Sequence, residues 1–187
     1  MQITEYYDDE SKTLVIPCFF NEKIINIPKK VKKIIFQNYY IGNSRKFNQP
    51  IDNLLINLTH LTHISLGDNF NQTLKNLPEN LIYIKLGKYF NSEITIPKSV
   101  KKLVLTYNKS LLQTQKILNN LPHHIETLGV FINNSNEKIE NLPITLKKIV
   151  IYNKEYEKCI KIPYGVELKI SGKNNSKNYN INKHKLT

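Results

Sequence analysis

The chain has no tryptophan, one methionine, two cysteines and 6 glycines in 187 residues. Two isolated thiols, Cys18 and Cys159, cannot supply the cross-linked framework of a small secreted scaffold. They point to a reducing compartment, most simply the cytoplasm. No apolar run approaches the ~20 residues of a membrane span. The start, Met1 to Asp9, has neither the basic stretch nor the apolar core of a secretory signal. A Walker glycine loop, Gly-x-Ser-x-Gly and His-Glu-x-x-His are all missing. Carboxylates such as Glu137, Glu140, Glu155 and Glu157 are scattered among lysines rather than paired in an apolar setting. His60 and His63 have no Cys or carboxylate at ligand spacing, and His60 and His124 fall three repeat turns apart, roughly 14–15 Å. No catalytic residue, no metal ligand and no cofactor is expected. The chain does not read as an enzyme.

Asparagine is abundant, at 25 residues, and the formal net charge is +12. Residues 1–12 carry −3 and residues 171–187 carry +4, so most of the positive charge lies between them. Such a body suits nucleic acid or an acidic protein. A lysine-rich solvated surface written in an AT-rich code gives the same composition.

Six prolines share one local pattern, an apolar residue, Pro, two residues and an apolar anchor. They are Ile27-Pro28 before Val31, Leu77-Pro78 before Leu81, Ile96-Pro97 before Val100, Leu121-Pro122 before Ile125, Leu142-Pro143 before Leu146, and Ile162-Pro163 before Val166. Numbering each anchor as position 1, apolar residues recur at positions 4 and 6, the alternation of a half-buried strand. Units begin at Ser11, Val31, Leu61, Leu81, Val100, Ile125 and Leu146. A closing strand at 166–170 has its apolar residues at positions 1, 3 and 5, so it is either frayed or slipped by one residue. A repeat of about 20 residues is the mark of a solenoid. Phe-Asn follows three strands, at Phe20-Asn21, Phe70-Asn71 and Phe90-Asn91, and recurs at Phe47-Asn48 after an insertion at 40–46. The Phe rings can stack from turn to turn, and the Asn side chains can bond the backbone of the next turn. Leu58 stands where other units have Pro. Leu111, Leu112 and Leu118 have helical spacing, so a short helix is expected near 110–118. Residues 1–10 read as an N-terminal cap or arm packed through Ile3, Tyr6 and Tyr7, residues 11–170 as the solenoid, and 171–187 as a basic disordered tail. A monomer is expected.

The run Leu-x-x-Ile-x-Leu-Gly-x-x-Phe-Asn at Leu61–Asn71, repeated at Leu81–Asn91, resembles the FNIP repeat family, which is related to leucine-rich repeats. The resemblance covers most of residues 11–170. It implies one sheet of short parallel strands, mostly loop on the other side, and a role in binding. FNIP proteins are numerous in social amoebae and in giant viruses of amoebae, often with an F-box-like segment that would recruit a ubiquitin ligase. Only about ten residues precede the first repeat here, against the ~40–50 that such a module needs, so no F-box segment is expected.

Strand positions 3, 5 and 7 point away from the core, on the face where leucine-rich repeats dock partners. They include Lys33, His63, Tyr83, Lys85, Lys102, Lys148 and Tyr152, the candidate partner-binding residues, with Ile35, Ser65, Val104, Thr127, Gly129 and Val150 between them. Cations interleaved with aromatic rings suit an unidentified protein partner or, alternatively, nucleic acid bound electrostatically. A third reading is the substrate-recognition part of a ubiquitin-ligase adaptor. A face kept charged against aggregation has the same residues.

Overall fold

Each unit of the register contributes one short strand, and the strands lie side by side in chain order. A computed structural model of the chain describes residues 3–38, 47–107, 112–132 and 138–171. Among them are nine strands: β1 (Tyr7–Asp8), β2 (Thr13–Ile16), β3 (Lys33–Phe36), β4 (His63–Ser65), β5 (Tyr83–Lys85), β6 (Lys102–Tyr107), β7 (Thr127–Ile132), β8 (Lys148–Ile151) and β9 (Glu167–Ile170). They form one open sheet in the order β1 to β9. β1 is antiparallel to β2, and every later pair is parallel. The architecture is a repeat solenoid of the leucine-rich-repeat kind. The expected insertion at 40–46 and residues 172–187 lie outside the described residues.

The core follows from the alternation. Positions 4 and 6 are stacked in register from Leu14 and Ile16 to Ile149 and Ile151, and none is more than 4% exposed. The anchors Val31, Leu61, Leu81, Val100 and Ile125 are fully buried beside them. A unit alone could not bury this face; stacking at about 4.8 Å per strand does.

Backbone bonds hold the turns in step. The carbonyl at position 2 accepts from two N–H groups of the next turn: Lys12 from Lys32 and Lys33, Lys32 from Thr62 and His63, Thr62 from Ile82 and Tyr83, Ile82 from Lys101 and Lys102, Lys101 from Glu126 and Thr127, and Glu126 from Lys147 and Lys148. The proline pattern is a corner in the chain. In each, the Pro carbonyl accepts from the anchor N–H, at 3.1 Å in Pro28–Val31, Pro78–Leu81 and Pro97–Val100. Proline suits this place because its φ is fixed and it has no N–H to satisfy. At Leu58 the N–H does have a partner, the Leu55 carbonyl at 2.9 Å, supplied by a short helix α1 (Asp52–Leu55) that the sequence did not reveal. The turn is otherwise the same, with Leu61 N–H on the Leu58 carbonyl at 2.9 Å.

The Phe and Asn of the repeat work as expected. Phe20, Phe47, Phe70 and Phe90 form a file of rings 6.1 to 6.5 Å apart, and all are buried. Beside them runs an asparagine ladder. Asn21 Oδ1 accepts from the Asn48 N–H (3.1 Å), Asn48 Oδ1 from Asn71 (2.7 Å) and Asn71 Oδ1 from Asn91 (2.7 Å). Asn91 Oδ1 then accepts from Gln113 N–H at 2.9 Å, in the first turn of helix α2 (Leu112–Asn119). The ladder therefore ends by satisfying one of the free N–H groups of a helix N-terminus. α2 confirms a helix near 110–118 but not its expected packing: Leu112 is 59% exposed, and the buried face is Thr114, Ile117 and Leu118. Leu111 lies outside the described residues.

At the two ends the pattern changes. A 3-10 turn, Ile3–Tyr6, buries Ile3 and sets Tyr6 and Tyr7 against the first unit's core. At the other end β9 is slipped rather than frayed. The Pro163–Val166 corner is in phase, yet Glu167 pairs with Lys148 and Leu168 with Ile149. The strand starts one residue early, and this keeps Leu168 and Ile170 on the core side, because a one-residue slip the other way would turn them outward.

Two substitutions test the cross-turn packing. Asn71→Ala removes the acceptor for Asn91 N–H and is expected to cost about 1 kcal/mol, seen as a lower urea midpoint, while Asn71→Asp retains the acceptor and most of the stability. A Cβ on Gly87 would run into the Gly67 carbonyl, whereas one on Gly67 would meet nothing nearer than 3.4 Å. Gly87→Ala should therefore destabilise by about 2 kcal/mol or more, and Gly67→Ala by clearly less.

Candidate functional site

Because position 3 recurs opposite itself in neighbouring strands, Lys33, His63, Tyr83, Lys102, Thr127 and Lys148 form a single row across the sheet. Within it the His63 and Tyr83 rings lie 5.5 Å apart, and Lys102 Nζ sits 5.3 Å from the Tyr83 ring centroid. That geometry gives a cation on an aromatic face. His63 is further fixed from its own strand entry. Thr62 Oγ1 lies 3.1 Å from the Lys32 carbonyl and 2.8 Å from His63 Nδ1. With its one proton given to the carbonyl, the hydroxyl accepts from Nδ1–H and leaves Nε2 as the ring's acceptor. Burial, and then the charges of Lys33 and Lys102, push the His63 pKa below its ordinary value.

Lys85 and Tyr152 lie in a different arrangement. Phe131 and Tyr152 stack face to face, 3.7 Å between centroids and 2° between planes, and Lys85 Nζ is 5.4 Å from the Phe131 centroid. Val104, on β6, is 1% exposed. The sequence placed Val104 and Gly129 on the open face; the structure corrects this, since both are buried. Gly129 makes the packing possible, because a Cβ there would lie 2.9 Å from Val104 Cγ2 and 3.4 Å from Tyr152 Oη. Burial also raises the Tyr152 phenol pKa. Phe131 was missed by sequence reasoning, although its position 7 in the same register was a sufficient signal.

The charge is less uniform than the lysine count suggests. Glu126 takes both Lys147 (2.8 Å) and Lys101 (3.5 Å), and Glu167 takes Lys148 (2.8 Å). Lys147 foremost holds the Glu126 carboxyl below its usual range. Lys32, Lys33, Lys85 and Lys102 make no ion pair among the described residues. On the outward strand face Lys33, Lys85 and Lys102 of β3 to β6 thus keep their charge, as does Lys169 of β9, whereas Lys148 is neutralised by Glu167.

Among the described residues no three His, Cys, Asp or Glu side chains could together hold a metal ion, and no helix is long and apolar enough to cross a membrane. Cys18 and Cys159 are both free thiols.

The sheet order, the file of phenylalanines and the asparagine ladder are properties of one repeat, and the FNIP repeat family model matches residues 70–108. Residues 70–108 carry the FNIP repeat. The match begins on Phe70 and spans the second Phe-Asn step at Phe90-Asn91. FNIP repeats are a repeat family not known as enzymatic. No curated protein and no solved structure matches the chain.

The environment of His63 has a direct readout. Its imidazole resonance should titrate below pH 6.5, and Lys102→Met should move the midpoint upward by removing a like charge. The sign for stability follows from the depressed folded-state value. His63 contributes its full share above the unfolded midpoint and loses it as pH falls through 6.5 towards the folded midpoint. Titration at or above 6.5 in the folded chain would contradict this geometry.

Proposed function

We propose that this FNIP-repeat chain is a non-catalytic interaction scaffold that takes an acidic protein surface on the outward face of β3 to β6. The observation that carries the reading is the row Lys33, His63, Tyr83 and Lys102, with Lys85 one pleat away, on paired strands and with no ion-paired carboxylate on these lysines among the described residues. Tyr83 supplies contact area with little conformational entropy to lose, and the lysines around it favour carboxylates. Two free thiols agree with action in the cytoplasm.

The same observations weigh against nucleic acid as the first reading. A polyanion needs a basic track, and this one is interrupted by Glu126 and Glu167 towards β8 and β9. Base stacking needs open aromatic faces, but Tyr83 has Lys102 over it and Phe131 is stacked on Tyr152. A substrate-recognition role in a ubiquitin-ligase complex would use the same face and adds no residue to it.

Partners captured from native cell extract should be lost when Tyr83→Ala is combined with Lys85→Glu, with affinity falling about tenfold or more. Partners that bind the double variant equally well would overturn the reading. Retention on a polyanion column near physiological salt would favour nucleic acid instead.

A further inference from the structure

The two ends of the sheet are finished differently. The first parallel strand is covered by β1, a two-residue antiparallel strand. The last, β9, pairs with β8 on one side and with no described residue on the other. In a parallel ladder alternate residues turn their N–H and C=O towards a given neighbour. Glu167 and Ser171 donate to the carbonyls of Lys147 and Ile151 across β8. Leu168 and Ile170 therefore turn theirs to the open edge. On the core side of that edge the apolar residues are incompletely covered: Leu168 is half-buried and Ile170 is 37% exposed. Their counterparts Ile149 and Ile151 on β8 are fully buried. An edge of this kind is a template for another strand.

We propose that β9 is a dimerisation edge, and that its occupant is β9 of a second copy of this chain, paired antiparallel about Leu168. The sequence of the strand selects this occupant and this register. With Leu168 opposite Leu168 of the second copy, the outward-turned N–H and C=O of Leu168 meet their symmetry equivalents. The Ile170 N–H meets the Val166 carbonyl. Leu168, Ile170 and Val166 then extend the core layer across the two-fold axis. On the other face Glu167 lies opposite Lys169 twice. Shifting the axis to Glu167 would put carboxylate against carboxylate, and shifting it to Lys169 would put ammonium against ammonium, both unfavourable across a strand pair. Of these three registers the one about Leu168 is self-complementary, which is what a two-fold interface requires. A head-to-tail contact with β1 is poorer, because two residues offer little backbone to pair. The sequence suggested a monomer; this edge argues for an isologous pair.

Sedimentation velocity of the full chain across the micromolar range tests this. A reversible monomer–dimer equilibrium is expected. Lys169→Glu places Glu167 and the new carboxylate opposite each other twice and should raise the dissociation constant about tenfold or more. Adding Glu167→Lys to it restores the complementarity in reverse and should restore the dimer. Leu168→Pro removes a donor that faces the open edge and none that faces β8, so it should leave a folded monomer by circular dichroism. A chain that stays monomeric at all concentrations would overturn the proposal. So would a dimer indifferent to single and double charge reversal, or open-ended filaments in place of a closed pair.

Discussion

The structure depends on satisfying the backbone of each turn with groups from the next. A short-strand solenoid leaves much of its chain outside regular ladders, and unpaired peptide groups near a core are costly. This chain meets the need in two files. The position-2 carbonyls from Lys12 to Glu126 each accept two N–H groups on the strand side, and the side chains of Asn21, Asn48, Asn71 and Asn91 each accept one backbone N–H on the far side. Between the files lie the aliphatic strand residues and the stacked Phe rings. The hydrophobic layer supplies most of the favourable free energy, and the two polar files fix its register.

That division explains which parts could be read in the sequence. Proline corners, Phe stacking and the Asn ladder are local rules repeated at a fixed step, so their spacing shows in one chain. The displaced alternation at Val166 left a frayed and a slipped β9 both open, and the strand pairing decides for the slip. What could not be read arises from contacts that cross two strands or replace one local solution by another. Lys85 reaches Phe131 from β5 to β7, and Tyr152 Oη comes over Gly129, where a Cβ would lie 3.4 Å from it. The helical turn that gives Leu58 N–H a carbonyl has no amphipathic pattern, being four residues long. Leu112 looked like a packing residue because Leu111, Leu112 and Leu118 were read together as helical spacing, but the face that α2 buries is Thr114, Ile117 and Leu118.

The candidate face shows the same limit. The register placed Lys33, His63, Tyr83 and Lys102 in one row, and that row exists. Its charge balance was not legible, because Glu126 and Glu167 neutralise lysines on neighbouring turns rather than in their own. On the proposed binding face this leaves Lys33, Lys85 and Lys102 as charged neighbours of His63 and Tyr83, while Lys148 is neutralised by Glu167. The repeated residues build the frame, and the residues that differ from unit to unit give that face its character.

Amide hydrogen exchange in the native chain, read at Asn48, Asn71, Asn91 and Gln113, tests the cross-turn account most directly. These residues sit on or near the solvent-facing side, yet each N–H donates to the asparagine of the preceding turn. The account requires all four to be protected together, with opening free energies close to those of the strand amides of β4 and β5. Exchange at unprotected rates, with the strands still protected, would show that the asparagine file is not part of what holds the turns together.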